Sequence, residues 1–337
     1  GSERLLGLAR SMGSDAYRTG LAAVNDYAER LAASELCAIP DGCYRFRDVM
    51  DDDGLGATDI PIEVALRVNR GEINVDFAGT APQVTGNINC PLSVAAAAVF
   101  YVFRCLMPAH TPACAGSFRA IHLSAPPACL VNAQRPAAVA AGNVETSSRI
   151  VDVVMGALAQ ALPEHIPAAS QGTMNNLAMG ARAGDRCWDY YETMGGGMGA
   201  GSREAGLDAT QSHMTNTLNT PIEVLEMEYP LRVHRYQIRR GSGGAGKHRG
   251  GNGLLREFEF LAPATVTLLT ERRRHSPWGL QAGAPGQCGE NHRNGLRLPG
   301  KISAEFSAGE RLTVATPGGG GWGAEPAVSC TGELEQD

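Results

Sequence analysis

The sequence is poor in aromatic residues, at 6%, has no cysteines at metal-binding spacing, and lacks long apolar runs and basic blocks. Each shortage excludes a class of protein. Nine cysteines, at 37, 43, 90, 105, 114, 129, 187, 288 and 330, are odd in number and scattered, and no CxxC pair occurs, which argues against a disulfide scaffold and a structural zinc site. The longest wholly apolar run, Val94 to Phe103, spans ten residues and ends at Arg104. That is about half of what a bilayer-spanning helix needs, so it reads as a buried helix. A net charge of −6 and a pI near 5.8 supply no field for nucleic acid, and Arg272–Arg274 is the longest basic block. With Glu3 and Arg4 following Gly1-Ser2 directly, a cytoplasmic location is the expectation.

What is abundant is glycine. It fills 42 of 337 positions, about 12% against a typical usage near 7%. With 43% hydrophobic residues the chain has enough material for a large core, in two domains or one elaborated domain. The glycines gather in 195–201, 241–253 and 316–323, where strands turn sharply or a backbone approaches something closely.

Apolar spacing of three and four predicts two helices between Glu3 and Leu36, broken at Gly13-Ser14. After Pro40-Asp41-Gly42 the period becomes two. Tyr44 to Val49, Ile60 to Val68 and the face Ile73, Val75, Phe77 read as strands, the last two joined by a hairpin at Asn69-Arg70-Gly71. A helix over Leu92–Leu106, a strand over Phe118–Leu123 and a long amphipathic helix over about 145–162 follow, with Asn143 as its cap and Pro163 as its stop. Beyond residue 187 the texture is β: Trp188–Thr193, Ile222–Tyr229, Leu231–Arg239, Leu254–Phe260, Thr265–Thr270, Ile302–Phe306 and Leu312–Ala315. The expected class is α+β, with mixed helices and antiparallel sheets and a β-rich C-terminal half. The expected division is an α+β region over 3–185, a β-rich glycine-loop region over 186–323 and a disordered tail over 324–337.

Gly241-Ser242-Gly243-Gly244-Ala245-Gly246-Lys247-His248 nearly spells a phosphate-binding loop. Such a loop needs a helix after it, whose N-terminus faces phosphate, whereas a strand follows here and His248 replaces the serine or threonine. A glycine-rich hairpin connection is the better account. No GxSxG, HExxH or close histidine pair occurs, and the eight histidines are dispersed, so no metal site is assigned within this chain. Asp51-Asp52-Asp53-Gly54 lacks further spaced oxygen ligands and reads as a solvated turn.

Four polar clusters embedded in small residues carry more information: Ala141–Ser147, Ser170–Asn176, Tyr190–Gly201 and Ser212–Thr217. Amide side chains in such loops orient a carbonyl or amide, and glycine N–H groups face a developing oxyanion. On that chemistry Asn143, Gln171, Asn175 and Asn216 are the substrate-orienting candidates. Gly195, Gly196 and Gly197 are candidate oxyanion-facing backbone, and Glu145, Glu192 and His213 are the catalytic proton carriers. Each residue also has an ordinary alternative, as a helix cap, a dipole partner or a tight turn.

The strings DDDGLG (51–56), VDFAGTAPQVTGNINCPLSV (75–94), AGNVETSSRIVDVV (141–154), PAASQGTMNN (167–176), YYETMGGGMGAG (190–201), SHMTNT (212–217), GGAGKHRGGNG (243–253), ERRRHSPWGL (271–280) and TPGGGGWG (316–323) together resemble the hydantoinase B/oxoprolinase family. The resemblance implies a component of an ATP-dependent cyclic-amide hydrolase of the 5-oxoprolinase, N-methylhydantoinase or caprolactamase type. It also implies a hydantoinase A-like partner that carries ATP and magnesium, hence a hetero-oligomer. The family's B-like chains begin with a segment bearing HxGD and NDPY motifs that supplies ligands for a divalent metal. Those motifs are not in this sequence, so activity is expected only with that segment and the partner. Two alternatives stay open: a component of an ATP-driven acetone-type carboxylase, and a non-catalytic assembly module.

Overall fold

The computed structural model describes residues 1–183 and 186–325. Two helices open it, α1 (Ser2–Met12) and α2 (Ser14–Leu36), parted by Gly13 at φ 79°. Strands β1 (Gly42–Asp52), β2 (Thr58–Asn69) and β3 (Glu72–Asp76) follow as an antiparallel meander. The β2–β3 turn places Arg70 at φ 49° and Gly71 at φ 82°, the left-handed pair that a two-residue hairpin requires. Helix α3 (Leu92–Leu106) buries Ala95, Ala98, Val99, Val102 and Phe103, so the ten-residue apolar run is indeed a core helix. Strand β4 (Ile121–Ser124) then joins β3 in parallel and completes a four-stranded sheet, β1-β2-β3-β4.

Helix α4 (Ser147–Ala161) lies between α3 and the β1–β2 face. It comes close to the sheet at Gly156, where a Cβ would sit 2.6 Å from the Phe46 ring. Asn143 does not cap this helix. A π-helical turn, Gly142–Thr146, precedes it, and Asn143 is exposed there with no side-chain capping bond. The wider turn takes over the role of a cap by carrying the backbone into the helix without a break.

The rest of the described chain is β-rich: β5 (Asn176–Ala183), β6 (Arg186–Glu192), α5 (Ile222–Glu228), β7 (Leu231–Arg239), β8 (Gly253–Phe260), β9 (Ala264–Leu269), β10 (Glu290–Arg293), β11 (Leu296–Leu298), β12 (Lys301–Phe306) and β13 (Arg311–Ala315). They form a five-stranded sheet, β11-β10-β13-β8-β7, and a four-stranded sheet, β12-β9-β5-β6. The fold is α+β. Residues 222–228 correct the expected strand: Pro221 fixes the entry, three glutamates favour helix, and of the apolar residues only Leu225 is buried. Strand β5 was hidden by its alanines and glycine, which are poor strand formers.

Most buried apolar residues fall into one cluster drawn from residues 32–166 and a second drawn from 177–314. The division drawn at residue 185 sits between the paired strands β5 and β6, at residues outside the described ones. Residues 326–337, most of the expected tail, also lie outside them.

Glycine does more than turn the chain. Gly251 donates to the Met198 carbonyl at 2.8 Å and Gly319 to the Gly251 carbonyl at 2.9 Å, so extended glycine segments stack side by side. A Cβ on Gly251 would lie 1.9 Å from the Leu207 oxygen, and one on Gly319 would lie 2.1 Å from the Met198 oxygen. No side chain fits between these backbones. The 241–253 segment therefore links the antiparallel strands β7 and β8, as expected, and also packs against 198–199 and 316–321.

Candidate functional site

Between the two clusters lies a buried group of charged and amide side chains. From α4 come Arg149 and Asp152, both buried. Strand β1 supplies Asp48 and Asp51, the segment after β9 supplies Glu271, Arg272 and Arg273, and β12 begins with Lys301. Arg272 pairs with Asp152 at 2.6 Å and with Asp48 at 2.7 Å, while Lys301 meets Glu271 at 2.5 Å. Arg149 lies 3.6 Å from both Asp152 and Glu271. Long-range ion pairs of this kind tie β1, α4 and β9 together, and removing one partner leaves an uncompensated buried charge.

The acidic run at Asp51 is not a solvated turn. Asp51 is 1% exposed, and its carboxylate accepts the backbone N–H groups of Arg273 at 2.5 Å and of Arg274 and His275 at 3.2 Å. Asp53 accepts from Leu55, Ala57 and Gly86. Burial pushes the Asp53 pKa up, but these three amides outweigh it and hold the carboxyl below its usual range.

Three of the candidate residues meet at the edge of this network. Asn175, at φ 48°, donates to Gln171 Oε1 at 2.8 Å and to the Met194 carbonyl at 3.1 Å, and accepts from Arg273 at 2.9 Å. Glu145 is fully buried in the π-helical turn. Its Oε1 accepts from Asn176 Nδ2 at 2.6 Å and from the Met174 amide at 3.1 Å, and its Oε2 has no hydrogen-bond partner among the described residues. Burial first, and then the negative charge of Glu271, pushes its pKa to about 8. Asn176 also accepts from the Tyr191 hydroxyl at 2.6 Å. Tyr191 lines a cavity of about 680 Å³ on the outer face of β5, β6 and β9, so a polar path runs from that surface to Glu145.

A second group lies across the Thr193–Gly197 segment. Glu192 is buried against Arg256, accepts from the Tyr190 hydroxyl, and has no free oxygen. The Arg256 guanidinium stacks 4.6 Å from the Tyr236 ring centroid. Gly195 and Asn216 line a cavity of about 560 Å³ beside Tyr236. The amides of Gly196 and Gly197 donate to the carbonyls of Thr210 and Pro317, so neither N–H is available to an oxyanion.

Asn143 stands apart from both groups, and His213 feels the charge of Asp152 in the first without a hydrogen bond to either among the described residues. His213, at φ 57°, faces Tyr101 of α3, whose hydroxyl lies 3.5 Å from Nδ1, and its Nε2 is buried without a partner among the described residues. Burial lowers its pKa, which leaves the ring neutral at pH 7. Sequence reasoning passed over Asp51, Arg149, Asp152, Glu271, Arg273 and Lys301. It also passed over Asn176 and Tyr191, although both lie within clusters that it had singled out.

Among the described residues, no group of three or more His, Cys, Asp or Glu side chains is placed to hold a metal by itself. No described helix is long and apolar enough to cross a membrane.

The chain is similar to 5-oxoprolinase 1 of Arabidopsis thaliana, with 43% identity over 281 residues covering 82% of this chain and 21% of that protein. It is similar to the 5-oxoprolinase of Dictyostelium discoideum, with 38% identity over 288 residues covering 83% of this chain and 22% of that protein. Among solved structures it resembles the ATP-dependent caprolactamase of Pseudomonas jessenii, with a TM-score of 0.82 and 26% identity over 96% of this chain and 59% of that one. It thus spans about a fifth of each oxoprolinase and under two thirds of the caprolactamase chain. The hydantoinase B/oxoprolinase family model matches residues 1–325, and the chain belongs to that family.

Proposed function

We propose that this chain forms part of the B-type component of an ATP-dependent cyclic-amide hydrolase, which adds water to a hydantoin- or 5-oxoproline-like ring activated by an ATP-binding A-like partner. The observation that carries the reading is the 43% identity to a 5-oxoprolinase, supported by the likeness to a caprolactamase. An amide is a poor electrophile because its nitrogen donates into the carbonyl. Phosphorylation of the amide oxygen removes that donation and creates a leaving group. Water then adds to the activated carbon, and a carboxyl whose pKa lies near the working pH takes up its proton and returns it to the ring nitrogen as the C–N bond breaks, which opens the ring to an acyl phosphate that a second water cleaves to the carboxylate and phosphate. Glu145 meets that requirement with its pKa near 8 and one unpartnered oxygen. Gln171 and Asn175 brace the wall beside it. ATP belongs to the partner in this reading, since the glycine loop at 241–248 runs between two antiparallel strands and presents no helix N-terminus to phosphate.

The test is to assemble the whole gene product with the A-like partner and follow ring opening, ATP hydrolysis and incorporation of labelled bicarbonate. Ring opening in step with ATP hydrolysis and without label supports the reading. Label in the product makes the complex a carboxylase and overturns it, as does an assembled complex that opens no ring. Unchanged turnover in Glu145→Gln would remove Glu145 from the proton-carrying role.

A further inference from the structure

Asn176 opens β5, is buried, and uses both ends of its carboxamide. Its Nδ2 donates to Glu145 Oε1 at 2.6 Å and to the Leu269 carbonyl at 2.9 Å, and its Oδ1 accepts from the Tyr191 hydroxyl at 2.6 Å. These partners fix which way the amide lies. A backbone carbonyl can only accept, so the atom that faces Leu269 is the nitrogen, and the same nitrogen faces Glu145. The Met174 amide donates to the same Oε1 at 3.1 Å. With two N–H groups aimed at it, Oε1 has no room for a hydrogen of its own, so the proton of a neutral Glu145 sits on Oε2. That oxygen has no partner among the described residues.

We infer that Asn176 is the positioning residue for Glu145: it fills Oε1 and so holds the transferable proton on Oε2, with Tyr191 as the anchor of the amide. The inference rests on the hydrolase reading and adds the atom through which the proton passes. Oε2 takes a proton from the attacking water as the C–O bond forms and gives it to the ring nitrogen as the C–N bond breaks, so Glu145 ends ionised as it began. The charged and titratable groups that feel Glu145 are Glu271 and Arg273 after β9, Lys301 at the start of β12 and Tyr191 on β6. None of them is hydrogen-bonded to it among the described residues, so the choice between its two oxygens falls to the hydrogen bonds at Oε1.

The experiment is infrared difference spectroscopy of the whole gene product assembled with its A-like partner, recorded across the pH range in which ring opening is also followed. The C=O stretch of protonated Glu145 is the band that Glu145→Gln removes. Asn176→Leu should move this band to higher frequency, because Oε1 then accepts one hydrogen bond fewer. It should also keep the band visible to a pH about one unit higher, the size of a hydrogen bond lost to a charged group. The kcat of ring opening should fall about tenfold or more with KM little changed, and its pH profile should move up by the same unit. Tyr191→Phe should shift band and profile in the same direction by less, since an amide whose oxygen accepts no hydrogen bond is a weaker donor. A band and a profile that stay in place in both variants overturn the inference, and so does a wild type with no such band at any pH. If Asn176→Leu does not fold, Tyr191→Phe decides alone. Band shifts in a complex that opens no ring would overturn the hydrolase reading alone. Ring opening with band and profile unmoved would overturn the Asn176 assignment alone.

Discussion

Asn176 Nδ2 donates to Glu145 Oε1 at 2.6 Å, while the second oxygen of the same carboxyl, equally enclosed, meets no partner among the described residues. Burial makes this carboxyl more stable neutral than charged and the negative charge of Glu271 adds to that, which is why its pKa rises from 4.5 to about 8. Between those values the folded chain binds a proton that the unfolded chain has released. The resulting stability is fully present below about pH 4.5 and is lost as pH rises toward 8. Glu145→Gln, neutral throughout, removes this dependence. Urea unfolding from about pH 5 to 8 should show the wild type losing a few kcal/mol relative to the variant, on the order of what a shift of this size carries. Parallel pH profiles would show that the carboxylate is tolerated where it stands.

Gly319 and Gly241 give a second, contrasting pair. Gly319 has a backbone oxygen 2.1 Å from where a Cβ would stand, whereas Gly241, at φ 78°, has nothing within 4 Å. Gly241→Ala should cost roughly 1–2 kcal/mol, the strain of a left-handed alanine in open space. Gly319→Ala must push two hydrogen-bonded segments apart and should cost more than about 4 kcal/mol or abolish folding. Thermal or urea unfolding of the two variants checks this, and similar losses at both sites would mean that the stacked glycine backbones separate easily.

Periodicity made most of the fold legible. The opening helices, the β1–β3 meander, α3, α4 and the strands β7, β8, β9, β12 and β13 all follow from apolar spacing of 3.6 or 2. Strands β10 and β11 were missed although Asn294-Gly295, at φ 50° and 83°, is a strong hairpin signal, because ENHR on one side is wholly polar and LRL on the other is only three residues long. The site was legible only in part. The polar clusters pointed to Glu145, Gln171 and Asn175, since small residues around an amide or carboxyl mark a crowded polar loop. The charge network was not legible, because Asp51 meets the backbone of Arg273 across 222 positions and nothing local distinguishes it from a solvated aspartate. Gly196 and Gly197 misled for the same reason: the carbonyls that occupy their amides come from distant segments.

Glu192 and Arg256 form an ion pair in which both side chains are buried, and Arg256 leaves Nε and one terminal nitrogen without partners among the described residues. Such a pair stabilises less than its short contact suggests, because two charges have been taken out of water. Removing one partner is nevertheless severe, since the other charge stays behind. Arg256→Met and Glu192→Gln should each cost about 3–5 kcal/mol in chemical unfolding. The double variant should cost clearly less than the two losses combined, with a coupling of about 1–3 kcal/mol. Additive losses would mean that the two side chains contribute independently, through packing on Tyr236 and the hydrogen bond from Tyr190, and not as a charge pair.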